Sequence, residues 1–129
     1  MPPRDLNPIT ERIVACAQAV RMALGADVGV EEYETALDRA MREDKLQFAR
    51  QYPFGVPFHG PKDRGFYADF VVEAWILLEL KAVEALTSEQ TAEARRYLRE
   101  SGAKLCLLIN FGRPEVEVQR LEAASDPSG

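Results

Sequence analysis

Apolar residues recur along this chain with two periods, and the periods mark off its elements. Ile13, Ala17, Val20 and Leu24 fall at helical spacing, with Asn7-Pro8 ahead of them as a cap and Pro at the first helical position, and with Gly25 after them as a stop. Tyr33, Leu37 and Met41, flanked by Ala36 and Ala40, form a second helical stripe that runs to about Asp44. Leu46, Phe48 and Tyr52 suggest an extended segment, which Pro53 and Pro57 confine to a sheet edge or a bend. Gly60-Pro61-Lys62-Asp63-Arg64-Gly65 reads as a turn. Two strands follow, Phe66 to Val72 and Ile76 to Ala82, joined at Glu73-Ala74-Trp75. Thr87-Ser88-Glu89 opens a helix that carries Ala94, Tyr97, Leu98 and Ser101 on one face and stops at Gly102. Leu105-Cys106-Leu107-Leu108-Ile109 is an unbroken apolar run, the pattern of a strand covered on both faces and paired in parallel, here beside the Ile76 strand. Val116, Val118 and Leu121 alternate weakly, and residues 123–129 form a small, polar tail expected to fray. Residues 1–122 are therefore expected to make a single α/β domain. Two N-terminal helices precede a mixed sheet centred on the Glu79 and Leu107 strands, and the helix from Glu89 to Ser101 is the crossover.

One segment breaks the pattern. Glu79 and Lys81 are set into the apolar run Trp75-Ile76-Leu77-Leu78-Glu79-Leu80-Lys81, and Asp69 lies in the strand before it. A buried carboxylate is expensive unless it is paired or holds a cation. In an extended strand Glu79 and Lys81 share one face while Ile76, Leu78 and Leu80 fill the other, so one face is expected to carry chemistry and the other packing. Asp69 and Glu79 are the residue types that hold Mg²⁺ or Mn²⁺ for phosphodiester hydrolysis, with the Leu80 carbonyl as a possible third ligand, and Lys81 suits a water-positioning or charge-neutralising role. The same residues also read as a Glu79–Lys81 salt bridge at a sheet edge with Asp69 capping a turn. Geometry adds a condition. A two-residue hairpin loop sets Asp69 opposite Leu78 and points it away from Glu79, whereas a three-residue loop of Glu73, Ala74 and Trp75 sets it opposite Glu79.

Bulk properties narrow the classes. The chain has 129 residues, 47% hydrophobic and 29% charged, and a net charge of −5. It is ordinary globular composition, and the acidic balance excludes wrapping a long duplex by bulk electrostatics. Nucleic acid would have to meet a local basic patch, for which Arg95, Arg96 and Arg99 with Lys62 and Arg64 are the candidates; a solvated face with Glu93 and Arg96 paired is the alternative. No run reaches a membrane span and the N-terminus lacks the apolar core of a secretory signal, so a cytoplasmic protein is expected; the oligomeric state is left open. Cys16 and Cys106 have no metal-ligand spacing and read as core thiols. His59 is the sole histidine and has no nucleophile motif near it, and the chain has no dinucleotide or P-loop motif.

Tyr33-x-x-Ala36-Leu37, Asp69-Phe70-Val71-Val72, Leu78-Glu79-Leu80-Lys81-Ala82-Val83, Tyr97-Leu98 and Leu107-Leu108-Ile109-Asn110-Phe111-Gly112, taken in order, resemble the GxxExxY proteins, a branch of the PD-(D/E)XK nuclease-like superfamily. The resemblance runs from about residue 10 to 121. It implies a restriction-endonuclease-like core, a mixed sheet flanked by helices, with Asp69, Glu79 and Lys81 at a divalent-metal site acting on DNA or RNA. Two departures accompany it. The Glu expected three residues before Tyr33 is Val30, and the usual Gln of the helix after the Glu-x-Lys strand is Glu93. The first departure raises a second expectation, a catalytically weakened relative that keeps the scaffold as a nucleic-acid-binding or protein-interaction module.

Overall fold

In the computed structural model, which describes residues 5–53 and 67–124, the elements follow one another in the expected order. Helix α1 spans Asn7–Leu24, α2 spans Val30–Glu43 and strand β1 spans Phe48–Pro53. Strands β2 (Tyr67–Val72) and β3 (Ile76–Lys81) are followed by α3 (Ser88–Ser101), β4 (Leu105–Asn110) and β5 (Glu117–Glu122). The turn expected at Gly60–Gly65, with His59, Lys62, Arg64 and Phe66, lies outside the described residues, as do residues 125–129 of the tail. Helix α1 begins one residue earlier than a cap at Asn7 would place it. Leu6 is the cap residue, and the Asn7 N–H, one of the donors a helix start leaves over, is taken by Asp5 Oδ1 at 2.9 Å. Helix α3 has a reciprocal cap: Thr87 Oγ1 accepts from the Gln90 N–H and Gln90 Oε1 accepts from the Thr87 N–H, at 3.1 and 3.0 Å.

The sheet has the order β1-β2-β3-β4-β5, parallel between β3 and β4 and antiparallel elsewhere. The α3 crossover is what permits the one parallel pair. Alternation divides the core into two layers. Phe70, Leu78, Leu80, Leu107 and Ile109 pack under α1 and α2 with Ile13, Leu37 and Met41, while Leu77, Cys106 and Leu108 pack against Ala94 and Leu98 of α3. Strand β4 is buried along its whole length, as its unbroken apolar run requires, and each of its leucines contributes roughly 1.5–3 kcal/mol. The Glu79 face is thus a packing face as well. Its chemistry is confined to the C-terminal end of β3, beyond Leu77.

The β2–β3 hairpin meets the geometric condition. Val72 pairs with Ile76, Val71 with Leu77 and Phe70 with Leu78, so Glu73, Ala74 and Trp75 form the three-residue connection and Asp69 stands opposite Glu79. Glu73 and Ala74 adopt left-handed backbone, with φ of 51° and 69°. The Trp75 N–H donates to the Val72 carbonyl at 3.2 Å, and Glu73 exchanges two 2.7 Å bonds with Gln47 ahead of β1.

Candidate active site

The regular β2–β3 pairing stops at Phe70 and Leu78, and beyond it two carboxylates take over the hydrogen bonding. The Asp69 N–H donates to Glu79 Oε2 at 3.2 Å, and the Leu80 N–H donates to Asp69 Oδ2 at 2.7 Å. Each carboxylate is therefore held on the other strand. Glu79 is only 7% exposed. Burial, and next the neighbouring Asp69 charge, push its pKa up to about 8, against the weaker opposing pull of the Asp69 N–H and of Lys81. Burial also raises Asp69, opposed by the Leu80 N–H.

The salt bridge between Glu79 and Lys81 that the spacing also allowed is not formed among the described residues. Lys81 Nζ lies 3.9 Å from Glu93 Oε1 on α3, and Asp69 sits within a strand, not at a turn. Glu93 is likewise not paired with Arg96, which turns to Glu100 at 3.5 Å. The reason is the approach of α3: its first turns lie over the end of β3, where a lysine offers Glu93 a cross-element partner. Burial, and next the charges of Glu93 and Glu79, raise the pKa of Tyr97, one turn on. The backbone of Lys81 is fixed from β4, since its carbonyl accepts from the Phe111 N–H at 2.8 Å.

Three further residues reach this cluster that the sequence reading did not single out. Glu34 of α2 is buried, and its Oε2 accepts from Arg50 Nε at 2.7 Å and Gln51 Nε2 at 2.9 Å. Gln51 Nε2 also lies 3.3 Å from Asp69 Oδ1. A signal for Glu34 was present: it shares the α2 stripe with Leu37 and Met41, a carboxylate on an apolar face just as Glu79 is. Nothing comparable marked Gln51. Val30, at the start of α2, is partly buried against the core and brings no carboxylate to the site.

The charges around the cluster do not cancel. Arg50 is taken by Glu34 and Lys81 by Glu93, leaving Asp69 and Glu79 without an ion-pair partner among the described residues. Two neighbouring oxygen-donor carboxylates, Glu79 buried and Asp69 half-buried, repel each other and suit a hard divalent cation, whose charge would remove that repulsion. Among the described residues no group of three or more His, Cys, Asp or Glu is gathered for a metal. A pair is nonetheless what Mg²⁺ commonly takes, completing its shell with water and phosphate oxygens.

The described residues include no helix long and apolar enough to cross a membrane. Comparison with curated proteins and with solved structures finds no match. A family profile described as the PD-(D/E)XK nuclease superfamily matches residues 7–121, which covers all three helices and nearly the whole sheet. With the mixed sheet and its Asp69–Glu79–Lys81 constellation, the chain belongs to the PD-(D/E)XK nuclease superfamily.

Proposed function

We propose that this protein is a divalent-metal-dependent, nuclease-like phosphodiester hydrolase acting on DNA or RNA, of the GxxExxY branch. The observation that carries the reading is the pair of half-buried Asp69 and buried Glu79, joined by hydrogen bonds across the β2–β3 gap and without an ion-pair partner among the described residues. Asp69 and Glu79 would hold Mg²⁺ or Mn²⁺, with the Leu80 carbonyl as third ligand, and the ion would supply Lewis-acid stabilisation of the phosphate charge. Lys81 is the catalytic cation. Its backbone is held by Phe111 and its side chain, 27% exposed, can reach solvent to orient water or a phosphate oxygen. The test is calorimetric titration of Mn²⁺ into the wild type and Asp69→Asn, with cleavage assays on single- and double-stranded DNA and RNA. Binding by the wild type and its loss in the variant are expected; no binding by the wild type, or equal binding by the variant, removes the reading.

A specific observation also favours the rival of a weakened relative serving as a nucleic-acid-binding or interaction module. Val30 packs into the core where the branch supplies a carboxylate. If that loss is the cause of weak activity, Val30→Glu should raise metal affinity and cleavage together. High wild-type cleavage abolished in Lys81→Ala would dismiss the rival.

A further inference from the structure

We propose that Gln51 is a positioning residue for Asp69, holding that carboxylate ready for a cation through a side-chain amide anchored on the Glu34–Arg50 ion pair. The inference rests on the metal-site reading above.

The first observation is one of direction. Arg50 and Gln51 are consecutive residues of β1, and both donate to the same oxygen, Glu34 Oε2, at 2.7 and 2.9 Å. A regular strand sends consecutive side chains to opposite faces, so this sharing requires a break in the backbone. Gln51 supplies it, with φ of 52°. A non-glycine residue is held in that conformation only where its surroundings over-determine it, and such positions cluster at functional sites.

The second observation is register. Arg50 pairs with Phe70 and Tyr52 with Ala68, so Gln51 stands opposite Asp69, as Asp69 stands opposite Glu79. Gln51, Asp69 and Glu79 form one polar row across three strands. The row has a chemical logic. A carboxylate pair needs donors between its members, and the Gln51 amide carries two N–H bonds, directed here at Glu34 Oε2 and, 3.3 Å away, at Asp69 Oδ1. Asp69 is thereby gripped at both oxygens, by Gln51 on one and by the Leu80 N–H on the other, which leaves its rotamer little freedom. Arg50 steadies the far end, since its guanidinium also meets Thr35 Oγ1 at 3.0 Å and Asp38 Oδ2 at 3.6 Å. Outer partners of metal-binding carboxylates commonly change affinity by about 10–100-fold when removed.

Two variants test this. Gln51→Met keeps the length of the side chain without its donors; Gln51→Gly relieves the left-handed backbone and deletes the side chain, so a failure to fold is not expected. Both should weaken Mn²⁺ binding about tenfold or more by calorimetry, and both should speed hydrogen exchange at the Leu80 amide, whose acceptor Asp69 has been loosened. Gln51→Gly should do so while its melting temperature holds or rises, a combination that a purely structural role for Gln51 does not give. Wild-type Mn²⁺ affinity and Leu80 exchange in Gln51→Gly would overturn the inference. If the wild type binds no Mn²⁺, the metal-site reading falls by itself, and unchanged Leu80 exchange in the variants would then overturn the positioning role separately.

Discussion

Asn110 and Glu79 are buried polar residues on the two central strands, and the fold treats them in opposite ways. Asn110 is fully buried and its side chain is spent on hydrogen bonds: Oδ1 accepts from the Val83 and Gly112 N–H groups at 2.9 Å each, and Nδ2 donates to the Val83 carbonyl at 2.9 Å and Glu117 Oε1 at 3.1 Å. Glu79 accepts one backbone N–H and faces a like charge. A buried polar group with every partner in place rigidifies a structure; one left short of compensation costs stability, and such groups concentrate where a ligand completes them. Asn110 belongs to the first kind. It ties the exit of β4 to the chain leaving β3, so the backbone of Lys81 is fixed by residues outside the chemistry.

The comparison is most exposed to disproof at Asn110. Asn110→Ala strands the Val83 N–H, the Gly112 N–H and the Val83 carbonyl, at a cost of about 1–3 kcal/mol for each group left unsatisfied. A total loss of about 4 kcal/mol by denaturant unfolding is expected. Gly112→Ala should fall in the same range, because its Cβ would lie 2.1 Å from the Val83 carbonyl oxygen, backbone against backbone. A loss below about 1 kcal/mol in both, on the scale of an ordinary exposed position, would erase the distinction between the two regions.

At Glu79 the sign reverses. Its folded pKa, about 8, exceeds the ordinary 4.5, so between those values the folded chain holds a proton that the unfolded chain has released. Stability without divalent cation must then fall as pH rises through that window, by about 3 kcal/mol and at most about 5, each pKa unit being worth about 1.4 kcal/mol. Glu79→Gln should flatten the curve and be the more stable protein at pH 8. Mn²⁺ should stabilise the wild type most at the alkaline end, where both carboxylates are ionised, and stabilise Glu79→Gln little. A melting temperature independent of pH from 5 to 8 in the wild type would show Glu79 to be as well compensated as Asn110.

A smaller effect sharpens the picture at Glu93. Its pair with Lys81 is long, at 3.9 Å, and Glu93 is about half exposed, so its loss in Glu93→Gln should change stability by less than about 1 kcal/mol. The same change removes a charge that helps to raise the pKa of Glu79 and releases Lys81 toward the carboxylates. The alkaline fall in stability should therefore move to lower pH, visible in paired thermal melts.

How far the sequence foretold this follows from which residues carry their own signal. Helix and strand periods placed the three helices and the first four strands, with β5 marked only by a weak alternation, and the Leu105–Ile109 run foretold the parallel neighbour of β3, because burial on one face or two is written in spacing. Glu79 stood out for the same reason, as a charge in an apolar run. The pairing of Asp69 with Glu79 was legible only as a condition on loop length, which the left-handed Glu73 and Ala74 satisfy. Gln51 was not legible. Its role depends on a backbone reversal within a strand, and its partner Glu34 is 17 residues away on another layer. The partner of Glu93 was not legible for a related reason: helix spacing ranks i, i+3 neighbours such as Arg96, but cannot see that α3 brings Glu93 to Lys81 at the end of β3.

The smallest expected effect isolates what left-handed backbone does in the two places where it frames the site. Ala74 is exposed, with φ of 69°, and its side chain makes no contribution to the carboxylate row. For an L-residue that conformation costs about 1–2 kcal/mol, whereas glycine adopts it freely but loses more entropy on folding, a debt of about 0.5–1 kcal/mol. Ala74→Gly should therefore stabilise the protein by about 0.5 kcal/mol, raising the melting temperature by a degree or two while leaving Mn²⁺ affinity and Leu80 exchange at wild-type values. The hairpin register that sets Asp69 opposite Glu79 is held by the Glu73–Gln47 bonds and the Val72–Ile76 pair, none of which glycine disturbs. Gln51→Gly relieves the same kind of strain and should lose affinity nonetheless. If Ala74→Gly also weakened Mn²⁺ binding, hairpin rigidity and not the Gln51 amide would be what holds Asp69 in place.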